Sequence, residues 1–159
     1  MRASGLLLAA LCLACSPQGQ AETTAAVSSA TAVHPVSGLK VIPLAVASGS
    51  KRHAFTVELA ETLPQQQRGL MFRTELGPDE GMIFPYRYPQ ILGFWMKNTP
   101  LPLDIIFIDE DRRIINIAAR TTPYSLDSVY SERPAIAVLE LIGGRAEELG
   151  IRPGDKVEW

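Results

Sequence analysis

Residues 103–118 read LDIIFIDEDRRIINIA. The first six, Leu103 to Ile108, are almost continuously apolar, which predicts a strand covered on both faces. Asp109-Glu110-Asp111-Arg112 forms a polar turn and Arg113 to Ala118 returns as a second strand, so the segment reads as a β-hairpin. The sequence on either side follows the same pattern of short apolar runs punctuated by Pro and Gly. Phe55, Val57 and Leu59 alternate with Thr56 and Glu58, as in a half-buried strand. Further strands are expected at Leu39–Val46, Gly81–Phe84, Gly93–Lys97, Ala135–Leu141 and Lys156–Trp159.

Two short helices interrupt the strands. Thr62 can cap a turn running through Pro64 to Leu70, since Pro is tolerated in a first turn. Gly144 to Leu149 forms the second, with Gly150 at the position just past the helix end. Pro153-Gly154-Asp155 turns the chain into its last strand. The expected fold is mainly β: one compact β-sandwich or barrel-like domain with two short helices, spanning residues 39–159.

The N-terminus reads as an address. Arg2 precedes an apolar stretch, Gly5 to Cys15, too short to span a bilayer and suited to a secretory signal over residues 1–21. Leu13-Ala14-Cys15-Ser16 resembles the lipobox of bacterial lipoproteins, with Cys12 standing where Leu is usual, so Cys15 is a candidate lipidation site. Gly19-Gln20-Ala21 offers a second exit, cleavage to a soluble periplasmic protein, and an uncleaved anchor is the third. All three place the domain outside the cytoplasm. Residues 22–38 are rich in Thr, Ala, Ser and Val without periodicity and read as a flexible tether. The only contact with a membrane would then be the lipid.

Composition removes several function classes. In 159 residues, 15 Lys and Arg stand against 17 Asp and Glu, and no basic run is interleaved with aromatics, so nucleic acid is not an expected partner. The two Cys lie in the leader, and the two His are His34, in the tether, and His53, at the start of a strand. That inventory leaves no Ser-His-Asp or Cys-His site and disfavours zinc. Asp109-Glu110-Asp111 lacks the spacing of a calcium loop, and no phosphate-cradling glycine motif is present. Neither metal nor cofactor is therefore predicted. Any chemistry falls to Lys, Arg, Asp, Glu, Asn and hydroxyl groups.

The most informative segment runs RGLMFRTELGPDEGMIFPYRYPQILGFWMKNTPLPLDIIFID from Arg68. Its motifs are Gly69-Leu70-Met71-Phe72-Arg73, Gly81-Met82-Ile83-Phe84 and Phe94-Trp95-Met96-Lys97-Asn98-Thr99. They are followed by Leu103-Asp104, Leu139-Glu140-Leu141, Gly150-Ile151 and Gly154-Asp155. Together they resemble the bacterial and archaeal family known as domain of unknown function 192, in order over residues 40–159. The resemblance implies a compact β-rich domain, often exported, with no established activity.

Within these motifs, charged groups sit among apolar neighbours. Asp104 enters the apolar run, and Glu140 lies between Leu139 and Leu141. A carboxylate so placed needs a partner or a raised pKa, and Lys97, Arg68 and Arg73 are the available cations. The candidate ligand-binding residues are Trp95, Lys97, Asn98, Thr99, Asp104, Glu140, Arg73 and Ser125, the last in a long polar loop over the cleft. The sequence reading favours an exported cell-envelope domain binding a small polar ligand or an envelope-protein partner. Bland roles compete at each position: Asp104 as a strand-end cap, Glu140 bonded to backbone or an Arg, Lys97 solvated over Trp95. One alternative is a hydrolase or lyase using Asp104 and Glu140 with Lys97. Another is a peptide-binding module, because residues 144–157 look locally like the helix-turn-strand of bacterial PDZ domains.

Overall fold

The structure is a computed structural model that describes residues 32–159. The expected leader, with Cys15, and residues 22–31 of the expected tether lie outside the described residues. The elements are β1 Val41–Ser48, β2 Lys51–Leu59, α1 Leu63–Arg68, β3 Glu80–Gln90, β4 Gly93–Phe94 and β5 Leu103–Ile108. They continue as β6 Ile114–Ala118, β7 Val129–Tyr130, β8 Ala135–Ile142, α2 Arg145–Leu149 and β9 Lys156–Glu158.

Seven strands form one mixed sheet in the order β6-β5-β8-β3-β2-β1-β9, and β4 pairs with β7 in a small second sheet. Only β2 and β3 run parallel, because the chain between them crosses over through α1 instead of turning back. The large sheet curls into a half-barrel. Its outer strands meet where Arg113 bridges Lys156, reinforced by the Ile114 N–H donating to Asp155 O (2.9 Å) and the Val157 N–H to Arg112 O (2.8 Å). Of the two expected architectures, the barrel-like one describes the sheet.

The concave face holds one apolar cluster, including Val46, Phe55, Val57, Ile83, Ile106, Leu139 and Val157. A second lies on the convex face of β3, β5 and β8, where Met82, Phe84, Ile105, Phe107 and Val138 are covered by Leu70, Leu92 and Met96. All six residues of β5 are buried, Asp104 included, as the almost continuous apolar run predicts. The covering layer is the chain between β2 and β3 together with the chain between β3 and β5, and it creates the site described next.

Several boundaries differ from expectation. β3 continues through Pro85 to Gln90, with the register shift against β8 lying between those residues, so the proline costs a ladder bond without ending the strand. The strand expected over Gly93–Lys97 stops at Phe94, because Trp95–Thr99 turns through Asn98, which has a left-handed φ of 56°. The long loop before β8 contains β7. Residues 32–38, expected in the tether, form a turn against the domain, with Val33 bridged to Lys40 and the Gly38 N–H donating to His34 O (2.8 Å). His53, expected at a solvated strand end, lies inside β2 opposite Val46.

Candidate functional site

On the convex face, strand alternation places Met82, Phe84 and Tyr86 of β3 beside Val138 and Glu140 of β8. Glu140 pairs with Met82 on one side and Ile105 on the other, so its carboxyl rises from an apolar part of the sheet. Above it, α1, the loop from Gly69 to Met71 and the stretch from Gly93 to Thr99 leave a cavity of about 230 Å³. Gln66, Gln67, Arg68, Phe84, Tyr86, Phe94, Trp95, Thr99 and Glu140 contribute to its walls.

The walls are held from behind. Phe94 meets Phe84 edge-on at 5.1 Å between ring centroids and Phe107 at 6.3 Å, joining the cover to the sheet. Helix α1 starts where Gln65 Oε1 accepts the Thr62 N–H (2.8 Å), and Gln66 Nε2 donates to Pro85 O (2.9 Å) and Ala60 O (3.2 Å). The two cover loops are bonded to each other: the Phe72 N–H donates to Asn98 O (2.7 Å), and Asn98 Nδ2 lies 3.8 Å from Met71 Sδ. The Met96 N–H donates to Ser125 O (3.0 Å) and the Tyr124 N–H to Thr99 O (3.2 Å), which brings in the loop before β7. Phe72, Asn98 and Tyr124 all have positive φ, a conformation non-glycine residues keep only where surrounding bonds fix it. These bonds join the three loops into one rim.

Glu140 is 5% exposed and has no ion pair among the described residues. Burial alone pushes its carboxyl up to about 8, because the apolar surroundings penalise the charged form. The Tyr86 hydroxyl is also held above its ordinary value, by burial first and then by the charge of Glu140. At neutral pH the site therefore presents a protonated carboxyl beside a phenol. Such a group can donate to a neutral acceptor, or give up its proton and accept from a cation.

The structure brings Trp95, Thr99 and Glu140 to one cavity and places the other expected residues elsewhere. Lys97 sits outside, with Nζ 5.1 Å from the centre of the Trp95 ring. Asn98 shapes the rim through its backbone. Asp104 corrects the shared-cleft expectation most clearly. Register puts Ile105 opposite Glu140 and Asp104 opposite Leu141, so the two carboxyls point to opposite faces of the sheet. Asp104 accepts from the N–H groups of Arg120, Gly144 and Ala146, each at 2.8 Å, and so fixes the start of α2. The paired-carboxylate arrangement with Lys97 is absent among the described residues. Arg73 is engaged by Glu58 (2.6 Å) and His34 (3.2 Å) at the neighbouring groove. Ser125 accepts the Asp127 N–H on its side chain (3.1 Å) and lines a different cavity, beyond Phe94. None of the four described cavities is lined by residues of α2, the groove a PDZ-like module requires.

Sequence reading missed Tyr86, Phe84, Phe94, Gln66 and Gln67 as wall residues. The period-two series Met82, Phe84, Tyr86 carries the information for the first two, but the expected strand stops at Phe84. The glutamines of α1 gave no pattern.

A curled β-sheet domain with a covered convex face and a buried carboxyl beneath that cover defines the class of protein. The chain belongs to the family of domain of unknown function 192, described as "Uncharacterized ACR", which matches residues 44–159. It is similar to a protein of unknown function from Novosphingobium aromaticivorans DSM 12444, with 54% identity and a TM-score of 0.80 over 89% of this chain and 100% of that one. A proposed transcription regulator from Sinorhizobium meliloti 1021 is 38% identical, with a TM-score of 0.74 over 76% of this chain and 94% of that one. No curated protein matches the chain.

Proposed function

We propose that this domain binds a small polar ligand in the cavity between Glu140 and Trp95, and that it does so as an exported protein of the cell envelope. The observation that carries the first part is the unpaired, 5%-exposed carboxyl of Glu140 in the wall of an aromatic-lined cavity. Leaving a polar group in such a place costs folding energy, a cost characteristic of functional sites. Convergence of rings with a few polar groups is how small-molecule sites are built. The cavity's volume suits a ligand of small-metabolite size.

A thermal-shift screen of the purified protein against envelope metabolites and glycans tests the binding reading. A ligand should raise the melting temperature by several degrees at saturation. Its effect should vanish in Glu140→Leu and weaken in Trp95→Ala. Ligand shifts that survive both substitutions unchanged would place binding elsewhere and overturn the reading. The location is supported by the leader, and the Leu13-Ala14-Cys15-Ser16 motif favours a lipid anchor. Under that reading Cys15→Ser moves the protein out of the membrane fraction. Recovery of both forms in the soluble periplasm supports cleavage after Ala21 instead.

A further inference from the structure

Among the described residues no cation pairs with Glu140. Arg68 is the one cation among the lining residues, and its guanidinium lies over the Phe72 ring, 4.7 Å from the centroid, at the border with the neighbouring groove. Lys97 rests on Trp95 outside the cavity, and Arg73 is occupied by Glu58. Glu140 is thus left facing Tyr86 of β3, with Met82 and Ile105 as its neighbours in the sheet. The amide of Gln66 is tied to backbone carbonyls of Ala60 and Pro85. A neutral ligand gains one neutral hydrogen bond from such a carboxyl. An anionic ligand can only share the proton that the neutral carboxyl carries, and the faces of aromatic rings repel it. A cation gains a charge-assisted bond to the carboxylate and attraction to the same faces.

We infer that the ligand is an organic cation: a primary or secondary ammonium on a small apolar body, its N–H groups donating to Glu140 and its body lying among Phe84, Tyr86, Phe94 and Trp95. This rests on the cavity being the binding site proposed above. The proton balance follows from the state of the empty site. With its carboxyl up at about 8, Glu140 holds a proton near neutrality. The ammonium arrives protonated, Glu140 ionises to receive it, and one proton leaves to solvent for each ligand bound. Affinity therefore rises as pH rises towards about 8 and levels beyond it.

Three probes of one shape test this: benzylammonium, benzyl alcohol and benzoate. Binding is followed by calorimetry and by amide and indole NMR signals of Gly93 and Trp95. Benzylammonium should bind roughly tenfold more tightly than benzyl alcohol and gain nearly tenfold per pH unit between about pH 6 and 7.5. Its heat should vary with buffer ionisation enthalpy, revealing release of one proton. Glu140→Gln should remove both the preference and the pH dependence. The wild-type proton release makes the test independent of how well that variant folds. Equal or tighter binding of benzyl alcohol or benzoate at the Trp95 signals, without proton release, overturns the cationic class and leaves the cavity reading standing. If no probe moves the Gly93 and Trp95 signals, the cavity reading fails and the inference with it.

Discussion

Asp104 and Glu140 are carboxyls buried in adjacent strands on opposite faces of one sheet, and the fold treats them differently. Asp104 receives three backbone N–H groups, which satisfies it and secures the start of α2. Asp104→Asn keeps the size but turns an NH2 towards one of those donors. It should cost about 2–4 kcal/mol, read as a lower urea midpoint, while leaving ligand response intact in the folded protein. A loss below about 0.5 kcal/mol would show that these bonds do not hold α2 in place. Among the described residues Glu140 has no such bonds, and its carboxyl rises from an ordinary value of 4.5 to about 8 on folding. Between those values the folded state holds a proton that the unfolded state has lost. As far as Glu140 is concerned, the folded state is most stable below about pH 4.5, loses stability as pH rises, and bears the full cost of the buried charge above about pH 8. The shift corresponds to an upper limit of about 5 kcal/mol. Glu140→Gln should flatten this slope. Urea unfolding of both proteins at about pH 5, 7 and 9 checks it, and parallel curves would refute the assignment.

The pairing of β3 with β8 presents Glu140 to the cavity, and it depends on Gly81. A Cβ at that position would lie 2.4 Å from Glu140 O and 2.9 Å from Leu141 Cδ2. Gly81→Ala should therefore spread the two strands, costing about 1–3 kcal/mol. It should also weaken ligand response, because the displaced carbonyl belongs to Glu140 itself. A variant that melts with the wild type and binds equally well would show that the strands can absorb the methyl. Both helices and most strands were legible because local patterns specify them: Thr62 and Gly150 bracket helices, and Phe55-Val57-Leu59 alternates. The opposition of Asp104 and Glu140 was not legible. It depends on Ile105 pairing with Glu140, and neither segment encodes its partner's register. The cleft expected from Trp95, Lys97, Asn98, Thr99, Asp104 and Glu140 does not gather Lys97 or the rim residue Ser125, for a related reason. Each lies in an irregular loop whose course is set by long-range bonds, such as Phe72 to Asn98 and Met96 to Ser125.

At the scale of the whole molecule, the apolar run of β5 is the trace of a two-layer design: a concave core inside the half-barrel and a covered convex face outside it. The two layers have separate sources of stability. The concave core depends on the meeting of the sheet's ends, where Val157 is fully buried, Lys156 bridges Arg113 and Arg112 Nη1 donates to Trp159 O (2.7 Å). The covered face depends on contacts such as Phe84–Phe94, made by loops and short elements. Removing residues 156–159 should therefore open the half-barrel along β1 and expose Val46 and Val157's former neighbours to water, abolishing cooperative unfolding. Phe94→Ala should act on the outer layer: it costs about 3–5 kcal/mol as a buried aromatic truncation at most, since Phe94 is only partly buried, and loosens the Trp95–Thr99 rim. Hydrogen exchange separates the two cases. In Phe94→Ala, amides of β5 and β8 should keep their protection relative to global stability, while those around residues 93–99 exchange through local opening. If instead protection in β5 and β8 falls as far as it does around the rim, the cover and the half-barrel fold as one unit, and the cavity cannot open without the sheet.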